Sequence, residues 1–275
     1  MIRPFLLSLS LLLFAPVPGA AAQFASDRIT VTVKGSGPDV ILIPGLTSSR
    51  AIWNGTVAAV PGYRYHLVQV NGFAGTAARG NASGAVVEPV ARDIARYISA
   101  KDLRAPALIG HSMGGTLAMM VAMRAPATIG RVMVVDMLPQ PAGLFGGNAS
   151  SIGPLADSLR GALTSTAAGR LLLGNLIGRY GSDRDSDPDV VARATHDLAR
   201  VDLSPQLPKI AAPMTVLFAT PGTTSPEHGR IVQSYRAAYA GAKTARLRPI
   251  GESGHVIMAD QPKRFHDEVK RFLTP

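Results

Sequence analysis

Gly110-His111-Ser112-Met113-Gly114-Gly115 follows the apolar run Ala107–Ile109 and opens a stretch of helical length, Met113 to Ala125. A serine with glycine two places away on either side, set between strand and helix, has the form of a nucleophile elbow. The turn must be tight enough to push the Ser112 hydroxyl out beyond the end of a sheet. A side chain at Gly110 or Gly114 would then strike neighbouring backbone, which explains the two glycines. The helix starts directly behind the serine, so its amino end favours the negative charge that develops during acyl transfer.

Outward from the elbow, short aliphatic runs alternate with helical patterns, the rhythm of a mainly parallel α/β sheet. Ile29–Val33 alternates apolar and polar residues and reads as an outer strand. Val40–Ile43 is wholly apolar and stops at Pro44-Gly45, as a buried strand does. Tyr65–Val70, Ala107–Ile109, Arg131–Val135, Met214–Ala219 and Ala245–Ile250 complete the predicted strands. Val86–Ala100, Met113–Ala125, His228–Tyr239 and Pro262–Leu273 are the predicted helices. In the last of these Phe265, Val269 and Phe272 fall at i, i+4 and i+7, on one helical face.

Residues 139–205 break the rhythm. After Pro139-Gln140-Pro141 and a Gly/Ser-rich stretch come helical segments around Leu155–Leu163 and Leu171–Ile177, without a strand signal. Asp187-Pro188 pairs an N-cap with a first-turn proline and predicts a helix to about Arg200. The block reads as a helical insertion over the sheet, between a first core part at 23–138 and a second at 206–275. The run Leu171–Ile177, apolar on more than one face, is expected to be buried against the sheet.

Residues 1–22 stand outside the fold. Arg3, the apolar run Phe5–Phe14 and Ala20-Ala21-Ala22 form the three-part pattern of a secretory signal peptide. The run is shorter than the roughly 20 residues a spanning helix needs, so the expectation is an exported protein without stable membrane insertion.

The 275-residue chain is 47% hydrophobic and 17% charged, too apolar for disorder or a coiled coil. It has no cysteine, which excludes a disulfide scaffold, thiolate zinc and iron–sulfur centres. The 28 Lys and Arg outnumber the 18 Asp and Glu for a net charge of +10. The arginines (Arg79, Arg92, Arg96, Arg124, Arg131, Arg160 and Arg170 among them) are scattered, without a basic run or interleaved aromatics. A solvated basic surface is expected rather than a nucleic-acid groove. No phosphate loop, metal-ligand spacing or dinucleotide fingerprint is present, so no metal or other cofactor is expected.

Together with the early Ile43-Pro44-Gly45-Leu46 turn and the late Gly251-Glu252-Ser253-Gly254-His255 segment, the elbow makes the chain resemble the α/β-hydrolases, in the branch of serine esterases, lipases and lactonases. The resemblance covers nearly all of the chain after residue 22. It implies a mostly parallel eight-stranded sheet, here one strand short, with a cap inserted after Arg131–Val135. It places the base at His255, on the loop before the C-terminal helix. A serine hydroxyl is a poor nucleophile until an imidazole within hydrogen-bond reach takes its proton. Of the other histidines, His111 is expected to pack beside the elbow, His66 in a strand, His196 in the cap, and His228 and His266 on outer helices.

The triad acid has more than one candidate. Many relatives carry an Asp after the strand corresponding to Met214–Ala219, but here no carboxylate appears before Glu227. Asp136, at the carboxyl end of Arg131–Val135, stands on the edge where sites of open parallel sheets gather, an arrangement similar to that of zearalenone lactonases. Glu227, Glu252 and the absence of any acid are the alternatives, and a structural brace for the Met137–Pro139 turn is another role for Asp136. The resemblance assigns the oxyanion hole to the backbone N–H groups of Leu46 and Met113; pocket walls are expected at Thr47, Phe73, Leu138 and Val256, with ordinary core packing as their alternative role. The activity so implied is acyl transfer from a small, mostly apolar ester or lactone to water. A cofactor-free perhydrolase, a hydroxynitrile lyase-like enzyme and a non-catalytic ligand-binding protein share the fold, whereas haloalkane dehalogenation wants a carboxylate where Ser112 stands.

Overall fold

The computed structural model describes residues 24–145 and 185–274. The expected signal sequence, residues 1–22, and the segments 155–163 and 171–177 lie outside the described residues.

Seven strands form one sheet among the described residues: β1 (Ile29–Lys34), β2 (Asp39–Ile43), β3 (Arg64–Val70), β4 (Ala107–His111), β5 (Arg131–Val135), β6 (Met214–Thr220) and β7 (Ala245–Gly251). Their order is β1-β3-β2-β4-β5-β6-β7. Only β1 runs antiparallel to its neighbour, pairing Ile29 with Val70, and the other pairs are parallel. Alternate residues feed two layers. Ile41, Ile43, Val132 and Val134 face one core cluster, while Val40, Leu42, Met133 and Val135 face the other.

The first layer is covered by α2 (Val87–Ala100), α3 (Met113–Arg124), α4 (Pro188–Arg200) and α5 (Pro226–Ala238). The second is covered by α1 (Asn54–Ala59), α6 (Ile257–Asp260) and α7 (Pro262–Leu273), where Phe265, Val269 and Phe272 are buried as their spacing predicts. The predicted helix after Asp187 is α4, and its cap is explicit: Asp187 Oδ1 accepts from the amides of Asp189 (2.9 Å) and Val190 (3.0 Å). Two boundaries differ from expectation by two residues. The strand β4 runs on through Gly110 and His111, because these pair with Val134 and Val135 of β5. The helix α5 begins two residues early, where Ser225 Oγ accepts from Glu227 N and Pro226 fills the first turn.

The chain leaves β2 to one side for β3, then crosses to the other side for β4. The carboxyl ends of β2 and β4 therefore flank a topological switch point, where open α/β sheets leave a crevice. The Pro44–Leu46 turn and the Ser112 turn are the two loops that meet there.

Candidate active site

Ser112 has φ 54° and ψ −125°, a backbone state that costs an L-residue about 1–3 kcal/mol. The surroundings impose it. Ser112 N–H donates to Val135 O at 2.9 Å, and Ser112 O accepts from Gly115 N at 2.7 Å. A Cβ on Gly110 would sit 2.0 Å from Gly114 O, and one on Gly114 would sit 2.2 Å from Ile43 O. Both glycines are thus required by backbone contact, as the sequence argument holds. A Cβ on Gly45 would come within 3.1 Å of both Ser112 Cβ and His111 Nδ1, so the β2 turn packs directly on the elbow.

Positive φ recurs along this edge of the sheet. Thr47 follows β2 (61°), Ala74 follows β3 (51°), Asp136 follows β5 (51°) and Glu252 follows β7 (59°). Strain of this kind survives only where the surrounding contacts over-determine it.

Asp136 leaves the sheet immediately after β5, with its own N–H held by Leu217 O at 2.8 Å. Its Oδ1 accepts from Ala219 N (2.8 Å) and Tyr235 Oη (3.2 Å), and its Oδ2 lies 2.7 Å from His255 Nδ1. A carboxylate can only accept, so Nδ1 of His255 carries the proton and Nε2 the basic lone pair. Tyr235 stacks on Phe218 with ring centroids 4.1 Å apart, and burial followed by the Asp136 charge raises its hydroxyl well above the usual phenol range. It therefore remains a donor to Asp136 throughout the working pH range.

His111 is buried behind this pair. Its Nε2 lies 2.8 Å from the carbonyl oxygen of His255, and the two rings are 4.8 Å apart. The carbonyl cannot donate, so Nε2 is the protonated nitrogen, and Nδ1 is buried without a hydrogen-bond partner among the described residues. Burial first, and then the neighbouring His255, lower the His111 pKa to about 4. The ring is neutral near pH 7 and tethers the His255 loop to the elbow. Among the described residues no hydrogen bond joins Ser112 Oγ to His255, and such contacts often tighten only around substrate.

The amides of Leu46 and Met113 make no backbone hydrogen bond among the described residues. Met113 is the first residue of α3, where an N–H has no partner within the helix. Two donors are thus available beside Ser112. Thr47 Oγ1 donates to Leu46 O at 2.6 Å, which fixes the turn. Ser186 ties this turn to the next loop: its Oγ donates to Thr47 O (3.2 Å) and accepts from Ala74 N (3.0 Å). Nothing in the local sequence around Ser186 marks that bridge.

The named pocket residues are placed unequally. Phe73 and Leu138 are buried within the first core cluster, Thr47 is buried in its turn, and Val256 is half-buried beside His255. Glu227 lies in the first turn of α5 with its side chain 67% exposed, 4.0 Å from Arg230. Glu252 is exposed, and its carbonyl accepts from Gln261 Nε2. Among the described residues neither glutamate shares a hydrogen bond or ion pair with His255. The described residues hold no cluster of three or more groups able to bind a metal ion, and no helix among them is long and apolar enough to cross a membrane.

A family model described as the alpha/beta hydrolase family matches residues 40–268. An uncharacterized protein of Mycobacterium tuberculosis is 24% identical over 272 residues, covering 90% of this chain and 78% of its own. The pimeloyl-[acyl-carrier protein] methyl ester esterase of Vibrio atlanticus is 24% identical over 213 residues, covering 70% of this chain and 80% of its own. Among solved structures, a thermophilic esterase from Thermogutta terrifontis superposes with a TM-score of 0.69 at 20% identity, covering 89% of this chain and 92% of that one.

Proposed function

This chain belongs to the alpha/beta hydrolase family, and from that premise we propose that it is an exported serine hydrolase that cleaves a carboxylic ester or lactone. In this reading Ser112 Oγ attacks the carbonyl carbon while Nε2 of His255 takes its proton. Asp136 holds the imidazole in the required tautomer and stabilises the imidazolium. The amides of Leu46 and Met113 receive the oxyanion, an interaction for which loss of one donor typically costs about 3 kcal/mol of barrier. His255 returns the proton to the leaving alcohol, and water, activated in the same way, releases the acyl group from Ser112. Export rests on the three-part pattern of residues 1–22 alone.

The observation that carries the reading is the meeting, on one sheet edge, of Ser112 on its positive-φ turn with the 2.7 Å Asp136–His255 contact. The similarity to enzymes named as esterases supports the ester class. A fluorophosphonate probe tests it: wild type should label stoichiometrically and Ser112→Ala not at all, with ester turnover falling by roughly four to six orders of magnitude. Equal labelling of wild type and variant would leave only a passive pocket. A panel of p-nitrophenyl esters of increasing chain length, with lactones alongside, then ranks substrates.

A further inference from the structure

A second cleft opens at the opposite end of the sheet, where β5 and β6 begin. It has a volume of about 240 Å³ and is bordered by Arg131, Arg246, Arg248, Arg271, Glu268 and Phe272. Arg131 opens β5 and Asp136 follows its last residue, so five steps of strand, roughly 17 Å, separate the cleft from the candidate active site.

The four guanidiniums come from three elements, β5, β7 and α7, and the fold holds three of them in place. Arg131 Nη1 donates to the carbonyls of Phe272 (2.5 Å) and Thr274 (3.0 Å), and its guanidinium carbon lies 5.9 Å from the Phe272 ring centroid. Glu268 is shared between Arg271, which donates to Oε1, and Arg248, whose Nε is 3.9 Å from Oε2. Arg246 has no ion pair among the described residues. Among the described residues that border the cleft, one carboxylate stands against four arginines, an excess of three positive charges around one concavity. Like charges brought together repel, and a bound anion would relieve that repulsion. Guanidinium forks match phosphoryl oxygens in pairs. The excess charge suits a multiply charged phosphate better than a single carboxylate.

Charges on β7 have a second use, because β7 is an edge strand and arginines there discourage pairing with another chain. That use accounts for Arg246 and Arg248 only. Arg131 and Arg271, on other elements, border the same cleft while Arg131 holds the carbonyls of Phe272 and Thr274 and Arg271 holds Glu268.

We propose that this cleft binds the phosphoryl group of a small phosphorylated molecule, independently of ester hydrolysis. Titration of the full chain with inorganic pyrophosphate, at ionic strength held constant with sodium chloride, should show saturable binding. The double variant Arg246→Gln/Arg248→Gln and, separately, Arg271→Gln should weaken it by at least roughly tenfold, with p-nitrophenyl ester turnover and thermal midpoint unchanged. Vesicles of phosphatidylcholine with and without phosphatidic acid distinguish the source of the phosphate: binding to pyrophosphate alone means a soluble ligand. Binding to phosphatidic acid vesicles alone, or pyrophosphate binding that the variants leave intact, overturns the proposal. So does the absence of saturable binding in the wild type, which would leave the arginines to edge protection.

Discussion

Two aspartate–histidine pairs occupy opposite ends of the sheet, and their contact distances barely differ. Asp136 Oδ2 lies 2.7 Å from His255 Nδ1 at the carboxyl edge, and Asp39 Oδ1 lies 2.8 Å from His66 Nε2 at the amino edge. Their surroundings differ. Asp39 sits in regular β2 backbone and is gripped by Arg64 at 2.5 and 2.8 Å, and the other nitrogen of His66 meets Tyr97 Oη at 2.7 Å. Both ring nitrogens of His66 are therefore spent inside the fold, with 4% of its side chain exposed against 19% for His255. Asp136 sits at a positive φ, and His255 stands on the edge where Ser112 projects. An Asp–His distance alone does not identify a catalytic pair. In the proposed reading, the strained backbone at Asp136, the partial exposure of His255 and the nearby Ser112 set a pair that moves a proton apart from one that holds α2 against β3.

The largest way to break this comparison is the same substitution at each end. Asp136→Asn should lower kcat about ten-thousandfold with the fold preserved, because the imidazole loses its enforced tautomer. Asp39→Asn should leave kcat within a factor of about two and lower unfolding stability by about 2 kcal/mol, the cost of breaking a partly buried pair. Esterase kinetics and urea unfolding on both variants measure this, and a matching kcat loss in Asp39→Asn would erase the distinction. Glu227→Gln should change neither quantity.

The pH dependence of stability sharpens it next. His111 has a folded pKa of about 4 against 6.5 for the free side chain, so the unfolded chain binds more protons between those values. Stability is complete above pH 6.5 and declines as pH falls towards 4, by roughly 3 kcal/mol from this residue. His66, also lowered chiefly by burial, contributes in the same direction. Urea midpoints at pH 7, 5.5 and 4.5 should fall in that order, and His111→Gln should flatten the trend. An equally steep decline in the variant would assign it to other groups.

The smallest effect concerns position rather than chemistry. His111→Gln keeps an N–H able to reach the His255 carbonyl, whereas His111→Phe does not. The phenylalanine variant should lose roughly tenfold in kcat at unchanged KM, and the glutamine variant should recover most of it. If both variants only lower the thermal midpoint, His111 is a packing residue.

Much of this architecture was legible in the chain. All seven predicted strands appear within two residues of their expected ends, because buried parallel strands need continuous apolar runs and the turns after them need Gly or Pro. The elbow was legible for a similar reason: a turn this tight tolerates no Cβ at Gly110 or Gly114. The acid was not decided in the same way. Asp136 and Glu227 both follow strands, and only the fold sets one against His255 and leaves the other in solvent beside Arg230. Tyr235, which braces Asp136 across 99 positions of sequence, had no local signature at all.

What residue order determines here is local and steric: which runs bury both faces, where the backbone must turn, and which serine stands on the tightest turn. Tertiary structure alone decided the partnerships, because a hydrogen bond or a shared charge depends on distance in space and carries no trace along the chain. It drew arginines that look dispersed in the sequence into one cleft, and it made one histidine of a similar pair structural while leaving the other at the edge beside Ser112.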